Sequence, residues 1–477
     1  MIRQYQGLVI TGFWTLSVTY LAILSGIMTI LPQAAPSPQL IPIPMAYAGG
    51  LVALGGTLVP GWRRWVGISA ATLMFTNGHP LILLALGVGG LMVLYRDRIF
   101  GWRALPILRL DLSDRFLHTH VMGPTGSGKS SSVLMPMIAH DLAKGHAVVL
   151  IEPKGDLSQA AYRRAIECQR TIVFFDPETP DCPRYNPLSG PADVAAEGLA
   201  WALNQVSEAG HPFYATTSRV QLIYAVLAVK EALGDQADLT AVVDFLRRDG
   251  FRRDVLSQIQ DERAISYFRD QMGQINARTA HEQRQGLLNR LELLLLNPSI
   301  RRVLSGPSDF DWDTVLDQGW TVIAPLSLAR LGDSARMVGT LLWHAFAMAT
   351  YRRQLTNSPV PAFLYLDEFH QYVTPDLSDF LALARGYRVG MVLAHQDMDQ
   401  LSHALQAAIL ANARQRILLG GISADDADTF TRHLAPYSWP KDIRTLPRGQ
   451  ALSQLTRDGH LRPPTTIHLP HYALGGP

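Results

Sequence analysis

The chain has 477 residues, a formal net charge of +2 and two cysteines. So balanced a charge gives no bulk electrostatic footprint of nucleic-acid binding. Cys168 and Cys182 lack metal-type spacing, which argues against a zinc site or disulfide scaffold and fits a reducing compartment. The length predicts more than one domain.

From the N-terminus, the only formally charged residues between Gln4 and Tyr95 are Arg63 and Arg64, and the first acidic residue is Asp97. An ion near a bilayer midplane costs roughly 2.5–3.5 kcal/mol on insertion scales, so such a stretch is composed for lipid. "GLVITGFWTLSVTYLAILSGIMTIL" (7–31) is long enough to cross as one helix and too long for a secretory apolar core. A proline-rich, uncharged connector follows, then apolar runs at 45–62 and 66–95. Basic residues at Arg3, Arg63-Arg64 and Arg96 onward put both ends of the anchor on the cytoplasmic side. An even number of crossings, two to four, is expected.

After Arg98 charges appear throughout and the pattern becomes α/β. "FLHTHVMG" predicts a strand, Lys129 to Lys144 a helix stopped at Gly145, "HAVVLIEP" a strand, Leu157 to Cys168 a helix, and "TIVFFDP" a strand. This alternation implies right-handed crossovers and a parallel sheet covered on both faces. From about Asp193 to Leu304 the sequence reads helical, an all-α insertion. Strands resume with "WTVIAPLSL", "AFLYLDEF", "VGMVLAHQ" and "RILLGG", and the end reads as a short hairpin turning at Arg457-Asp458-Gly459.

The chemistry concentrates in "GPTGSGKS" (123–130), a phosphate-loop pattern between a strand and a helix. Its glycines let backbone N–H groups turn inward around phosphates, and the helix N-terminus adds a positive dipole. The expected ATP-binding set is Gly123, Pro124, Thr125, Gly126, Ser127, Gly128, Lys129, Ser130 and Ser131. Lys129 should reach the β- and γ-phosphates and Ser130 should coordinate Mg²⁺. "FLYLDEF" places Asp367 and Glu368 at the carboxyl end of an apolar strand. Asp367 is expected in the Mg²⁺ shell and Glu368 to polarise the attacking water. Gln396, ending the next strand, is the candidate γ-phosphate sensor. A lone glycine turn or a solvated strand end would explain each piece separately; their joint occurrence favours a nucleotide site.

In this order, "GPTGSGKSSS", "IEPKGDL", "FDP…RYNPLS", "LYLDEF" and "ARGYRVGMVLAHQDMDQL" before "NARQRILLGG" resemble the type IV secretion coupling proteins (the TraD/TraG class), related to FtsK and HerA translocases. The resemblance implies a RecA-like P-loop NTPase domain with a parallel-rich sheet, an inserted all-α domain and an N-terminal transmembrane helical anchor. The expected boundaries are 1–97 for the anchor, 98–192 and 305–477 for the nucleotide-binding domain, and 193–304 for the insertion. It further implies a homohexameric ATPase, multi-pass in a bacterial inner membrane with its ATPase domain in the cytoplasm. Its partners would be single-stranded DNA, relaxase proteins and secretion-channel components. Arg385 is the candidate arginine acting on a neighbouring subunit's nucleotide, with Arg388, Arg414 and Arg416 as competitors. A docking receptor that uses ATP only to gate hand-over, and an FtsK-like DNA translocase, are the alternatives.

Overall fold

The computed structural model describes residues 105–204, 212–271, 277–353, 359–373, 377–435 and 443–474. The strands are β1 (Thr119–Met122), β2 (Ala147–Glu152), β3 (Ile172–Phe174), β4 (Thr321–Pro325), β5 (Ala362–Asp367), β6 (Val389–His395), β7 (Gln415–Leu419), β8 (Gln450–Gln454), β9 (Thr456–Arg457), β10 (His460–Leu461) and β11 (Thr465–His468). Nine of them form one sheet in the order β11-β8-β7-β1-β6-β5-β2-β4-β3, while β9 and β10 make a separate ribbon. Pairing is parallel from β7 to β3 and antiparallel at β7–β8 and β8–β11.

The central strands are buried along their whole length, as a parallel sheet covered on both faces requires. Side chains alternate between two cores with the period of a strand. Val148, Leu150, Phe363 and Tyr365 pack with α1 (Met135–Lys144) and α2 (Asp156–Glu167) on one face. Val149, Ile151, Leu364 and Leu366 face the opposite core.

Between β3 and β4 no strand occurs among the described residues. The chain instead forms α3 (Ala192–Asn204), α4 (Pro212–Leu233), α5 (Leu239–Arg247), α6 (Asp249–Gln258), α7 (Glu262–Ser266), α8 (Ala277–Leu296) and α9 (Pro298–Leu304). Asp238, Asp261 and Asn297 start α5, α7 and α9 by accepting first-turn amide protons with their side chains. After α10 (Trp312–Gln318), the long α11 (Asp333–Arg352) covers the second sheet face and packs against α3, so the helical layer shares that core. Later in the chain come α12 (Leu377–Leu383), α13 (His403–Asn412) and α14 (Ala424–Leu434), and single helical turns form at Leu112–Arg115 and Leu328–Leu331.

Three expectations change. The helix after the phosphate loop does not start as an α-helix: Lys129–Leu134 is a π turn, with the Met135 amide bonded to the Ser130 carbonyl. Pro136 is the physical reason, because it has no N–H to give the Ser132 carbonyl and its ring crowds that oxygen. The C-terminal hairpin turns at Asp458-Gly459 as expected, yet its flanks β8 and β11 join the main sheet.

The multi-pass inner-membrane localisation is also corrected. Among the described residues no helix is long and apolar enough to cross a membrane. Of the long helices, α4 carries Arg219, Lys230 and Glu231, α8 carries Arg284, Arg290 and Glu292, and α11 is buried against the sheet. The anchor assigned to 1–97 lies outside the described residues.

The amino-terminal edge of the sheet is pinned by a buried polar network. Arg115 donates to both Asp141 carboxylate oxygens, at 2.5 and 2.8 Å, and lies 4.1 Å above the Phe363 ring. The Tyr365 hydroxyl donates to Asp141 Oδ2 at 2.5 Å, and His146 Nδ1 lies 3.0 Å from Oδ1. Burial alone would push the Asp141 carboxyl up; the Arg115 guanidinium and the hydrogen bonds hold it below its ordinary range.

Substituting Asp141→Asn should therefore lower unfolding stability by about 3–5 kcal/mol, because it strands a buried guanidinium. Chemical denaturation reads this directly. The folded carboxyl titrates below its unfolded value of about 3.9, so the carboxylate's contribution is complete at neutral pH. It drains away as pH falls below that value, and the wild-type and variant stability curves should converge in acid.

Candidate functional site

The carboxyl ends of β1, β6 and β5 lie side by side, and they carry the chemistry. Register pairs Met122 with His395 and Ala394 with Asp367, so the loop after β1, Gln396 after β6 and Asp367 at the end of β5 share one edge. This is the edge where ligands sit in open parallel sheets.

The loop itself needs two left-handed residues, Gly126 at φ +77° and Gly128 at φ +101°, a conformation that a side chain would strain. At the end of β7 a Cβ on Gly420 would overlap the Leu446 carbonyl oxygen, so only glycine lets the chain close there. Lys129 is buried, and its Nζ donates to the Gly123 carbonyl at 2.5 Å. Burial lowers its pKa, and the Glu368 and Asp367 carboxylates oppose that shift. Ser130 Oγ donates to Asp367 Oδ2 at 2.9 Å. Burial and the Glu368 charge push Asp367 up, while Ser130 and Lys129 pull it down.

Glu368 occupies the left-handed region at φ +52° and is 5% exposed, a strained backbone of the kind that collects at functional sites. Gln396 Nε2 donates to Glu368 Oε1 at 2.7 Å, and Thr125 Oγ1 donates to Gln396 Oε1 at 2.9 Å. The other carboxylate oxygen, Oε2, is buried without a hydrogen-bond partner among the described residues; His370 Nδ1 stands 3.9 Å away.

Of the candidate residues, Thr125, Lys129, Ser130, Asp367, Glu368 and Gln396 thus come together. Pro124, Ser127 and Ser131 complete the loop and its first turn, with the Ser127 amide bonded to the Pro124 carbonyl at 3.2 Å. Arg385 does not join them. It is exposed in the turn Ala384–Tyr387, which leads into β6 at the sheet edge opposite Gln396. Among its competitors Arg416 is buried and donates to Gln454 Oε1 and to the Leu410 carbonyl.

Four residues escaped the sequence reading. Glu152 ends β2 beside Asp367 and accepts from the amides of Lys154, Gly155 and Ser158 at 2.7–3.0 Å. Its pKa is raised by burial against those bonds. It lies within "IEPKGDL", so only its role was hidden. Tyr372 is fully buried near Glu152, Asp367 and Glu368, and its hydroxyl has no hydrogen-bond partner among the described residues. His120 on β1 and His395 on β6 meet with Nε2 atoms 2.7 Å apart. His395 Nδ1 lies 2.9 Å from the Asp397 carbonyl, so that nitrogen donates and its Nε2 accepts from His120. Burial keeps both rings neutral, holding His395 down at about 3.

The residues fit Mg²⁺ in a restricted way. Among the described residues no group of three or more His, Cys, Asp or Glu side chains forms a metal cage. A hard cation here would rest on Ser130 and Asp367 together with phosphate oxygens, the usual mode for Mg²⁺.

Residues 87–437 match the family described as type IV secretory system conjugative DNA transfer. No curated protein matches the chain. Among solved structures, the bacterial conjugative coupling protein TrwBΔN70 is similar, with a TM-score of 0.58 and 16% identity over 77% of this chain and 89% of that one. TrwB with the ATP analogue ADPNP gives 0.57 and 17%, and TrwB with ADP and Mg²⁺ gives 0.57 and 16%, each over 76% of this chain and 88% of the other. Identities this low establish a shared fold. The family match, spanning well over half of the sequence, decides the kinship: this chain belongs to the type IV secretory system conjugative DNA transfer family, the coupling proteins.

Proposed function

We propose that the protein is an ATPase that couples hydrolysis of Mg²⁺·ATP to delivery of single-stranded DNA, with its relaxase or another protein substrate, to a type IV secretion channel. It would act as a ring of six copies, with 98–192 and 305–477 as the nucleotide-binding domain and the helical segment 193–304 meeting the substrate. The observation that carries the reading is the hydrogen-bonded run Thr125–Gln396–Glu368 beside Ser130–Asp367, which ties the phosphate loop to an acid with one unpartnered oxygen. TrwB, which shares the fold, binds ADPNP, and ADP with Mg²⁺.

On this reading the loop amides cradle the phosphates, and Lys129 exchanges the Gly123 carbonyl for the β- and γ-phosphates. Ser130 and Asp367 would hold Mg²⁺, which when bound offsets charge on those phosphates. Glu368 Oε2 takes the proton of the attacking water while Gln396 fixes the other oxygen. Because Gln396 also meets Thr125, any shift of the loop on γ-phosphate loss is passed to Glu368. Arg385 would reach the nucleotide only of a neighbouring copy, which makes turnover depend on assembly.

Glu368→Gln should lower kcat by about 10²–10⁴-fold with ATP affinity retained, measured by steady-state turnover and equilibrium binding. A variant that hydrolyses ATP at the wild-type rate would remove Glu368 as the base. Lys129→Ala should abolish turnover while leaving single-stranded DNA binding in place. For the assembled wild type, single-stranded DNA should accelerate hydrolysis and Gln396→Ala should remove that acceleration. Turnover indifferent to DNA would favour the docking-receptor reading instead.

A further inference from the structure

After β11 the chain turns back across the nucleotide loop. The Leu469 amide donates to the Gly449 carbonyl at 2.8 Å, and the Tyr472 amide donates to the Ser131 carbonyl at 3.2 Å. Arg163 Nη2 on α2 then donates to the Leu474 carbonyl at 2.6 Å. Residues 469–474 therefore form a strap, fastened at both ends and at its middle to the first turn after the loop. Leu469, Tyr472 and Leu474 are half-buried against the core beneath α1 and α2, while His471 and Ala473 are exposed. The strap has no part in the hydrolytic chemistry described above.

Its place along a bound triphosphate follows from the loop's polarity. Lys129 reaches the β- and γ-phosphates, and Asp367 and Glu368 mark the γ end. The loop's backbone amides cradle the α- and β-phosphates, so sugar and base leave the loop past Ser131. Ser131 is where Tyr472 is fastened. We infer that the strap is the nucleoside subsite of this site, with Tyr472 supplying an aromatic face for the base. The inference rests on the nucleotide reading proposed above and adds the element that grips the nucleoside. Stacking on an aromatic face tolerates any base, so ATP and GTP should be held alike.

Inorganic tripolyphosphate, which has no nucleoside, separates the two ideas when its dissociation constant is measured beside that of ATP on the full chain. Tyr472→Ala should weaken ATP by about 5- to 100-fold and leave tripolyphosphate unchanged, while Tyr472→Phe should bind both like wild type. Tyr472→Leu keeps the apolar packing without the π face and should behave like Tyr472→Ala, which covers the case that the alanine variant does not fold. Equal weakening of both ligands would reduce the strap to a brace for the loop, and no weakening of either would place the base elsewhere; both results overturn the inference. A wild-type protein that bound neither ligand would instead overturn the nucleotide reading itself.

Discussion

The interposition of β6 between β1 and β5 governs what this site can do. Neighbouring strands lie about 4.8 Å apart, so the loop strand and the Asp367 strand stand about 10 Å from one another. That gap is too wide for Thr125 to meet Glu368 directly and wide enough for one side chain between them. Gln396 fills it and touches both. Ser130 closes the remaining distance from the helix side by reaching Asp367. The same interposition sets His395 against His120, so the strand that leads to Gln396 is fastened to the loop strand by side chains as well as by the ladder.

Concentrating acids at one edge has an electrostatic cost, and the fold offsets it locally. Glu152, Asp367 and Glu368 are all nearly inaccessible to water, and burial disfavours the charge of Glu152 and Asp367. Helix-start amides at Glu152, a hydroxyl at Asp367 and an ammonium at Lys129 counter it. The opposite edge supplies mechanical backing. Strand β5 carries Tyr365, bonded to Asp141 on one face, only two residues before Asp367 at the working edge. The Arg115–Asp141 pair therefore fixes the strand that carries Asp367 to that edge.

What the sequence disclosed follows from the range of the physics involved. Phosphate binding needs glycines, a lysine and a hydroxyl within eight consecutive positions, so "GPTGSGKS" is readable as written. Burial on both faces leaves unbroken apolar runs, so "FLYLD" and "VGMVLAH" announce themselves as strands, each delivering a polar residue to the edge. Contacts between distant positions leave no such trace. His120 and His395 are 275 residues apart and each looks like an ordinary strand residue. The attachment of β8 and β11 to the main sheet depends on pairing with β7, which no local turn signal specifies. The separation of Arg385 from Gln396, by contrast, follows from chain order, since the two flank β6 at opposite ends.

The π turn at Lys129–Leu134 has a consequence for how the loop is tuned. Such a turn takes up one residue beyond what an α-helix of that length would use. Helical residues are phased by about 100° each, so the surplus residue uncouples the angular position of Lys129 and Ser130 from that of Met135, Ile138 and Leu142. The oily stripe is set by the sheet, and the cationic tip is set by the glycines. Pro136 guards the boundary between these two settings, and evolution can adjust the grip on an anion without disturbing how the helix seats.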